Sequence, residues 1–338
     1  MNPCTNANPF TPEAIDVAYV WLCKQRKNFP PDADVWHVRY HWNTIRCDLF
    51  KQLRKQTYQL SPLPRVTKSD GTTIHLWSSL DAIVLKILST VLRETLGLSH
   101  RCTHIKGHGG LKATVHEIQY QLPCYKFVMR TDVKSFYESI DHTVLLRQLN
   151  QVVRDDFQWR LLYQFIKHSV DKGGVYHDSQ TGISRGCPLS PIIGAYYLKK
   201  LDEMMTERRL FYVRYMDDIL IMTKTRWQLR RAIRVLNETF NELKLEKAPN
   251  KTSIGIIERG FDFLGYRFSG RILTLARTTY ERFMEHIRRL YEQKKTALER
   301  AVILDSYVTR WLRWAYSGLD ELDVFVSFPS DYTEAGET

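Results

Sequence analysis

The sequence predicts an α+β chain, and three observations carry that prediction. Apolar residues recur at helical spacing from Pro12 to about Lys27, from Val35 to Gln56 and from Leu80 to Leu96. Between these segments stand short runs of strand-forming residues broken by turn chemistry, such as Leu63 to Val66 and Thr73 to Trp77 around Lys68-Ser69-Asp70-Gly71. The third is the run Phe211 to Thr223, in which two apolar half-stretches flank Met216-Asp217-Asp218 as a tight hairpin between buried strands.

The first helix has a side-chain cap at Thr11 and proline at its first position, and Phe29-Pro30-Pro31 stops it. The second mixes Trp36, Tyr40 and Leu49 with Arg39, Arg46, Lys51, Arg54 and Lys55, either as core plus solvated face or as a face for a nucleic-acid backbone. After Gly97 comes Lys106-Gly107-His108-Gly109-Gly110-Leu111-Lys112, a glycine-rich basic loop opening a helix. Backbone N–H groups and the two lysines there suit phosphate, although the Walker ending is missing and an ordinary loop reads the same way. Tyr125 to Thr131 is an apolar strand ending at Asp132, which is either a helix cap or a second acidic site. Gly182 to Pro191, with two glycines and two prolines, is a loop feeding an apolar helix through Ile192, Ala195, Leu198 and Leu201.

Of the 338 residues 43% are hydrophobic, enough for one large core or several subdomains sharing one. A net charge of +12 with 12% aromatics fits a polyanion partner. No apolar run reaches the roughly 18–20 residues of a spanning helix, and Met1 to Pro12 lacks a signal-peptide pattern, so a soluble, cytoplasmic protein is expected. The six cysteines are scattered without a C-x-x-C pair, which supports neither a zinc site nor a disulfide framework. The adjacent Asp217 and Asp218 are costly to crowd between buried strands unless a cation compensates them; a solvated acidic turn is the alternative.

Asp132, the Gly182 to Pro191 loop, Tyr215-Met216-Asp217-Asp218, Lys251 in Pro249-Asn250-Lys251-Thr252, and Phe263-Leu264-Gly265-Tyr266 follow one another in that order. With these the chain resembles a reverse transcriptase over roughly residues 60 to 270, and is most similar to the prokaryotic group II intron-like lineage. The run Tyr307 to Tyr316 is similar to the thumb helix of intron-type enzymes. The resemblance implies a right-hand polymerase fold: a helical N-terminal extension (1–56), fingers (57–125), palm with an antiparallel sheet (126–269) and inserted fingers helices (about 142–190), a helical thumb (270–318), and a tail (319–338).

It further implies RNA-directed DNA synthesis with two Mg2+ ions, about 3.5–4 Å apart, held by Asp132 and Asp217 with Asp218 beside them and the Val133 carbonyl. Tyr137 matches the steric gate against a ribose 2′-hydroxyl, so dNTPs are expected and RNA-templated RNA synthesis is disfavoured. Arg185 and Gly186 match the nucleotide-contacting loop, Lys251 the lysine near the pyrophosphate, and Phe263, Leu264, Gly265 and Tyr266 the primer grip. Lys68, Lys106 and Lys112 fall in the fingers, where triphosphate and template contacts lie. Two departures stand out: Arg185 replaces the family's glutamine, and Thr72-Thr73-Ile74-His75 lacks the usual fingers arginine. The retron signatures and the Ser-Gln loop ending of diversity-generating retroelements are missing. The expected partners are an RNA template, a primer or DNA product, and dNTPs. A stand-alone polymerase in phage defence with a dedicated noncoding RNA is the implied biological setting; a catalytically inactive nucleic-acid-binding scaffold is the rival from another class.

Overall fold

Eleven strands form three sheets in a computed structural model that describes residues 8–67, 73–171, 176–178, 180–208, 210–270, 272–293 and 296–319. The strands are β1 (Leu63–Thr67), β2 (Thr73–His75), β3 (Phe127–Thr131), β4 (Ser169–Asp171), β5 (Tyr176–Asp178), β6 (Phe211–Tyr215), β7 (Asp218–Thr223), β8 (Ser253–Ile256), β9 (Phe261–Phe263), β10 (Tyr266–Ser269) and β11 (Ile272–Leu275). The central sheet runs β6-β7-β3-β8 with every pair antiparallel. A second sheet, β2-β1-β4-β5, joins the early hairpin to strands from the 142–190 segment through a parallel β1–β4 pair. The third is the meander β9-β10-β11.

Strand alternation divides the apolar residues into two cores. Met129, Ile219 and Ile221 point to one face of the central sheet, where the helices Arg226–Glu242, Ser190–Tyr197 and Ser79–Thr95 pack. Val128, Leu220 and Met222 point to the other face, against Phe261, Phe263, Tyr266 and Phe268 of the meander and against Trp314 of the last helix, Ala297–Tyr316. The helix Gly110–Gln121, grouped with the fingers from sequence, covers this second face through Val115 and Ile118.

The N-terminal helix Pro12–Gln25 forms as its sequence predicts, with the Thr11 hydroxyl accepting from the Ala14 N–H. The next helix does not run unbroken from Val35 to Gln56. It is two helices, Asp34–Tyr40 and Trp42–Arg54, because His41 leaves helical geometry at ψ +21°. The break turns Trp42 onto Tyr19, whose ring it stacks at 3.8 Å. This helical layer is tied to the fold by Arg26, which donates to the Trp77 carbonyl at 2.6 Å and the Ser79 hydroxyl at 2.9 Å, and pairs with Asp34. Among the described residues no helix is long and apolar enough to cross a membrane.

Candidate active site

Two chain segments deliver the three aspartates to one end of the central sheet. Asp132 directly follows β3, and the β6–β7 hairpin carries Asp217 and Asp218. The aspartates do not share the tip, as the sequence suggested. Asp217 lies in the two-residue turn with Met216, while Asp218 is the first residue of β7, paired with Tyr215. Asp132 and Asp218 line a cleft of about 710 Å³ with Lys251, Arg130, the Phe263-Leu264-Gly265 turn and the last two helices.

Crowding shows in the electrostatics. Burial, then the charge of Asp132, raises the Asp217 pKa, and burial with Asp132 and Asp217 pushes Asp218 up to about 6. Lys251 Nζ donates to Asp132 Oδ2 at 2.6 Å, and that bond is the main reason the Lys251 pKa rises. The Arg130 guanidinium, tied to the Ser253 hydroxyl at 3.0 Å and to the Asp262 carbonyl, contributes a second positive charge that lowers the Asp218 pKa. Sequence reasoning did not single it out. Carboxylate oxygens at mutually repelling distance are a donor set that suits a hard divalent cation. Among the described residues no three His, Cys, Asp or Glu side chains already converge as a metal cage. Lys251 holds Asp132, so binding a cation there requires the carboxylate to be shared or released.

The hairpin turn is strained and braced. Met216 has φ +56°, a left-handed conformation unusual for a residue with a side chain. His104 Nδ1 accepts the Met216 N–H at 3.0 Å, and Arg214 donates to the Met216 carbonyl at 2.7 Å. An accepting Nδ1 makes Nε2 the protonated nitrogen, which then donates to the Pro191 carbonyl at 3.3 Å. Burial and the nearby Arg214 charge push the His104 pKa down to about 4, so the ring is neutral. Arg214 is fully buried and held by Asp202 through two bonds, 2.8 and 2.5 Å, with the Tyr212 hydroxyl on the same carboxylate. Neither His104 nor the Arg214–Asp202 pair announced itself in sequence, since each partner lies far away along the chain or reads as an ordinary strand or helix residue.

Around this centre the other predicted residues are distributed unevenly. Val133 is buried and bridges to Lys247. Tyr137 sits on the short helix Phe136–Ser139, its hydroxyl pKa pushed up to about 12 by burial and by the charge of Asp217. Gly194 makes room for it: a Cβ there would meet the Phe136 ring at 3.0 Å and the Tyr137 ring at 3.4 Å. The Gly182 and Ile183 N–H groups bond to the Ile140 and Tyr137 carbonyls, both at 2.8 Å, seating the loop beside that ring. Arg185 projects from this loop, exposed, and pairs with Glu138 at 3.2 Å. Gly186 is exposed with φ +79°. Leu264 and Gly265 both have positive φ, which closes β9 and β10 in the two-residue turn a hairpin favours. Phe263 and Tyr266 are buried beneath it; the Tyr266 hydroxyl donates to the Trp314 and Ala315 carbonyls at 3.0 and 3.2 Å. Lys106 and Lys112 are exposed on either side of the glycine loop, whose Gly110 N–H bonds to the Thr103 carbonyl at 3.0 Å. Lys68 and the Asp70-Gly71 turn lie outside the described residues.

A family profile described as reverse transcriptase (RNA-dependent DNA polymerase) matches residues 68–268, more than half of the sequence and the whole stretch holding the three aspartates. The chain belongs to the reverse transcriptase family. Members of this family generally use divalent metal ions, RNA templates and dNTPs. Similar proteins include the group II intron-encoded protein LtrA of Lactococcus lactis subsp. cremoris, 27% identical over 89 residues, covering 26% of this chain and 15% of LtrA. Protein YkfC of Escherichia coli K12 is 24% identical over 179 residues, 42% of this chain and 46% of YkfC. The putative COX1/OXI3 intron 2 protein of Saccharomyces cerevisiae is 30% identical over 99 residues, 29% of this chain and 12% of that protein. The reverse transcriptase chain thus spans less than half the length of each of these relatives.

Proposed function

We propose that this chain synthesises DNA on an RNA template, with Asp132, Asp217 and Asp218 as its catalytic carboxylates. The observation that carries the reading is the delivery of these aspartates, by a strand end and a strained hairpin, to one end of the central sheet, with Asp132 and Asp218 lining one cleft, in a chain of this family. Two bound Mg2+ ions would supply activation of a primer 3′-hydroxyl and charge neutralisation at the leaving pyrophosphate. The three carboxylates and the Val133 carbonyl are the groups that would hold them. Lys251, released from Asp132, places its ammonium where a departing phosphate gains from it. Tyr137 and Gly194 shape the wall that the sugar meets, and Arg185 stands ready to exchange Glu138 for a triphosphate. The Leu264-Gly265 turn offers backbone to a primer end. In this reading the central sheet is the palm, β2-β1-β4-β5 with its helices the fingers, and Arg277–Tyr316 the thumb.

The test is primer extension on an RNA template with Mg2+. Asp217→Ala with Asp218→Ala abolishes dNTP incorporation while RNA affinity stays within a few-fold, because affinity comes from Lys and Arg contacts to phosphate. Extension by the double variant would refute the assignment. The proposal extends to a dedicated noncoding RNA template in phage defence, on the resemblance to bacterial members of the family alone. Sequencing the nucleic acid that copurifies with the protein tests that extension, and a random mixture of cellular RNAs would remove it.

A further inference from the structure

The helix Arg226–Glu242 lies on the face of the central sheet opposite the thumb, with Leu229, Ala232, Val235 and Leu236 buried against it. Its outer side is basic. Residues 224–237 contain five cations and no acid, the first carboxylate being Glu238, one turn past Arg234. Lys224, Arg226, Arg230, Arg231 and Arg234 are all exposed. Arg226, Arg230 and Arg234 follow one another at four-residue spacing, where like charges repel. Each step rises about 6 Å along the helix axis, comparable to the separation of successive phosphates along a nucleic-acid strand.

The cluster is separate from the catalytic end. Strand β7 begins at Asp218 and ends at Thr223, so about 17 Å of strand separates the aspartates from Lys224, where the cluster begins, and none of the five cations lines the cleft. An exposed tryptophan, Trp227, stands in the same face, with the Arg231 guanidinium 5.5 Å from its ring centre. Cations interleaved with an exposed aromatic form a surface on which a backbone can run and a base can stack. A membrane-surface helix turns its apolar side to lipid, whereas here that side is occupied by the sheet.

We propose that this outer face, from Lys224 through Arg234, is a second RNA-binding surface that holds a part of the template RNA outside the active-site cleft. The choice of RNA rests on the polymerase reading; the phosphate chemistry does not. The contact is to the backbone, so it shows little sequence preference and strong salt dependence.

The test uses the full chain with Arg226, Arg230, Arg231 and Arg234 all changed to Gln, a good helix former at exposed positions. Two probes are compared: a structured RNA of about 60 nucleotides, and a primed template of about 10 base pairs, too short to leave the cleft. The expected result is at least about a tenfold loss of affinity for the long RNA, with the slope of log K against log salt shallower by about 3, one unit or slightly less per phosphate contact. Extension of the short primed template keeps its rate. Trp227→Ala weakens binding of the long RNA without changing the slope. An unchanged slope and affinity for the long RNA overturns the proposal, as does a loss seen with anionic lipid vesicles and not with RNA. Failure of the unmodified protein to extend any primer, with the salt slopes as expected, overturns the polymerase reading and leaves this surface standing.

Discussion

Arg185 stands where the resemblance to the family leads to an expected glutamine, and its geometry makes that departure testable. Its guanidinium is exposed and, among the described residues, pairs with Glu138, itself exposed, an ion pair that contributes little in water. It is also close enough to lower the pKa of Asp217 and of Tyr137. A planar fork makes paired, charge-assisted bonds to phosphate that neither lysine nor an amide reproduces. Arg185→Ala therefore raises the dNTP concentration for half-maximal rate at least about tenfold, about 1.4 kcal/mol. Arg185→Lys recovers part of it and Arg185→Gln stays incomplete; steady-state kinetics on one primed RNA template compare the three. Tyr137→Val, which opens the wall beside Gly194, admits ribonucleotides, and NTP misincorporation assays read the change. The carboxylates set a pH dependence of their own. Asp218 sits at about 6 in the fold and near 3.9 when unfolded, so the folded state binds the extra proton between these values. At this site the metal-free fold is more stable below pH 4 and loses that advantage as pH rises through 6. A divalent cation needs the deprotonated form, so Mg2+ raises the melting temperature at pH 8 and far less at pH 5. Asp217→Ala with Asp218→Ala should remove that difference.

The β6–β7 hairpin shows both how much of an element a sequence discloses and where disclosure ends. Alternating apolar residues around Met216-Asp217-Asp218 are local information, and they placed the strands correctly. The same holds for the Thr11 cap and for β3 ending just before Asp132. What holds the turn in its left-handed conformation is not local. His104 comes from more than a hundred residues upstream, and Asp202 from the preceding helix, so no period or turn signal points to either. The split of Asp217 into the turn and Asp218 into the strand depends on register, which the apolar pattern leaves free by one residue at a hairpin tip. The break at His41 escaped for a related reason, because a stacking partner on another helix decided it. His104→Ala leaves the half-buried Met216 N–H without its acceptor, a loss of about 1 kcal/mol. Because the strained turn carries Asp217, the expected effect is about a tenfold fall in the maximal rate with little change in dNTP half-saturation. His104→Asn, whose side-chain oxygen can accept the same N–H, recovers part of the rate. With a ring pKa of about 4, the unmodified protein shows no His104-dependent step above pH 5.

At the scale of the whole molecule the central sheet separates two cores with different duties. One binds the helical layers to the strands that carry the aspartates; the other joins the sheet to the meander and the last helices. The second core is where the cleft beside Asp132 and Asp218 gets its far wall. Gly265 has φ +87°, and a Cβ there would approach the Trp314 ring to 2.9 Å; the Tyr266 hydroxyl reaches the last carbonyls of helix Ala297–Tyr316. These contacts make the hairpin turn and the final helix one unit. Tyr266→Phe keeps the ring's burial but leaves those carbonyls without the phenol, costing about 0.5–1.5 kcal/mol per net bond. Most of that cost falls on the docking of the last helix, since the central sheet's strand pairs do not involve Tyr266. A wall that opens more often lets the duplex leave sooner, while a single addition needs only the aspartates and the nucleotide. The expected outcome is near-normal incorporation of one nucleotide and a several-fold shorter product when rebinding is blocked by a heparin trap. Loss of single addition in proportion to product length would place Tyr266 in the catalytic step itself, and unchanged product length would show that the final helix is held by its apolar contacts alone.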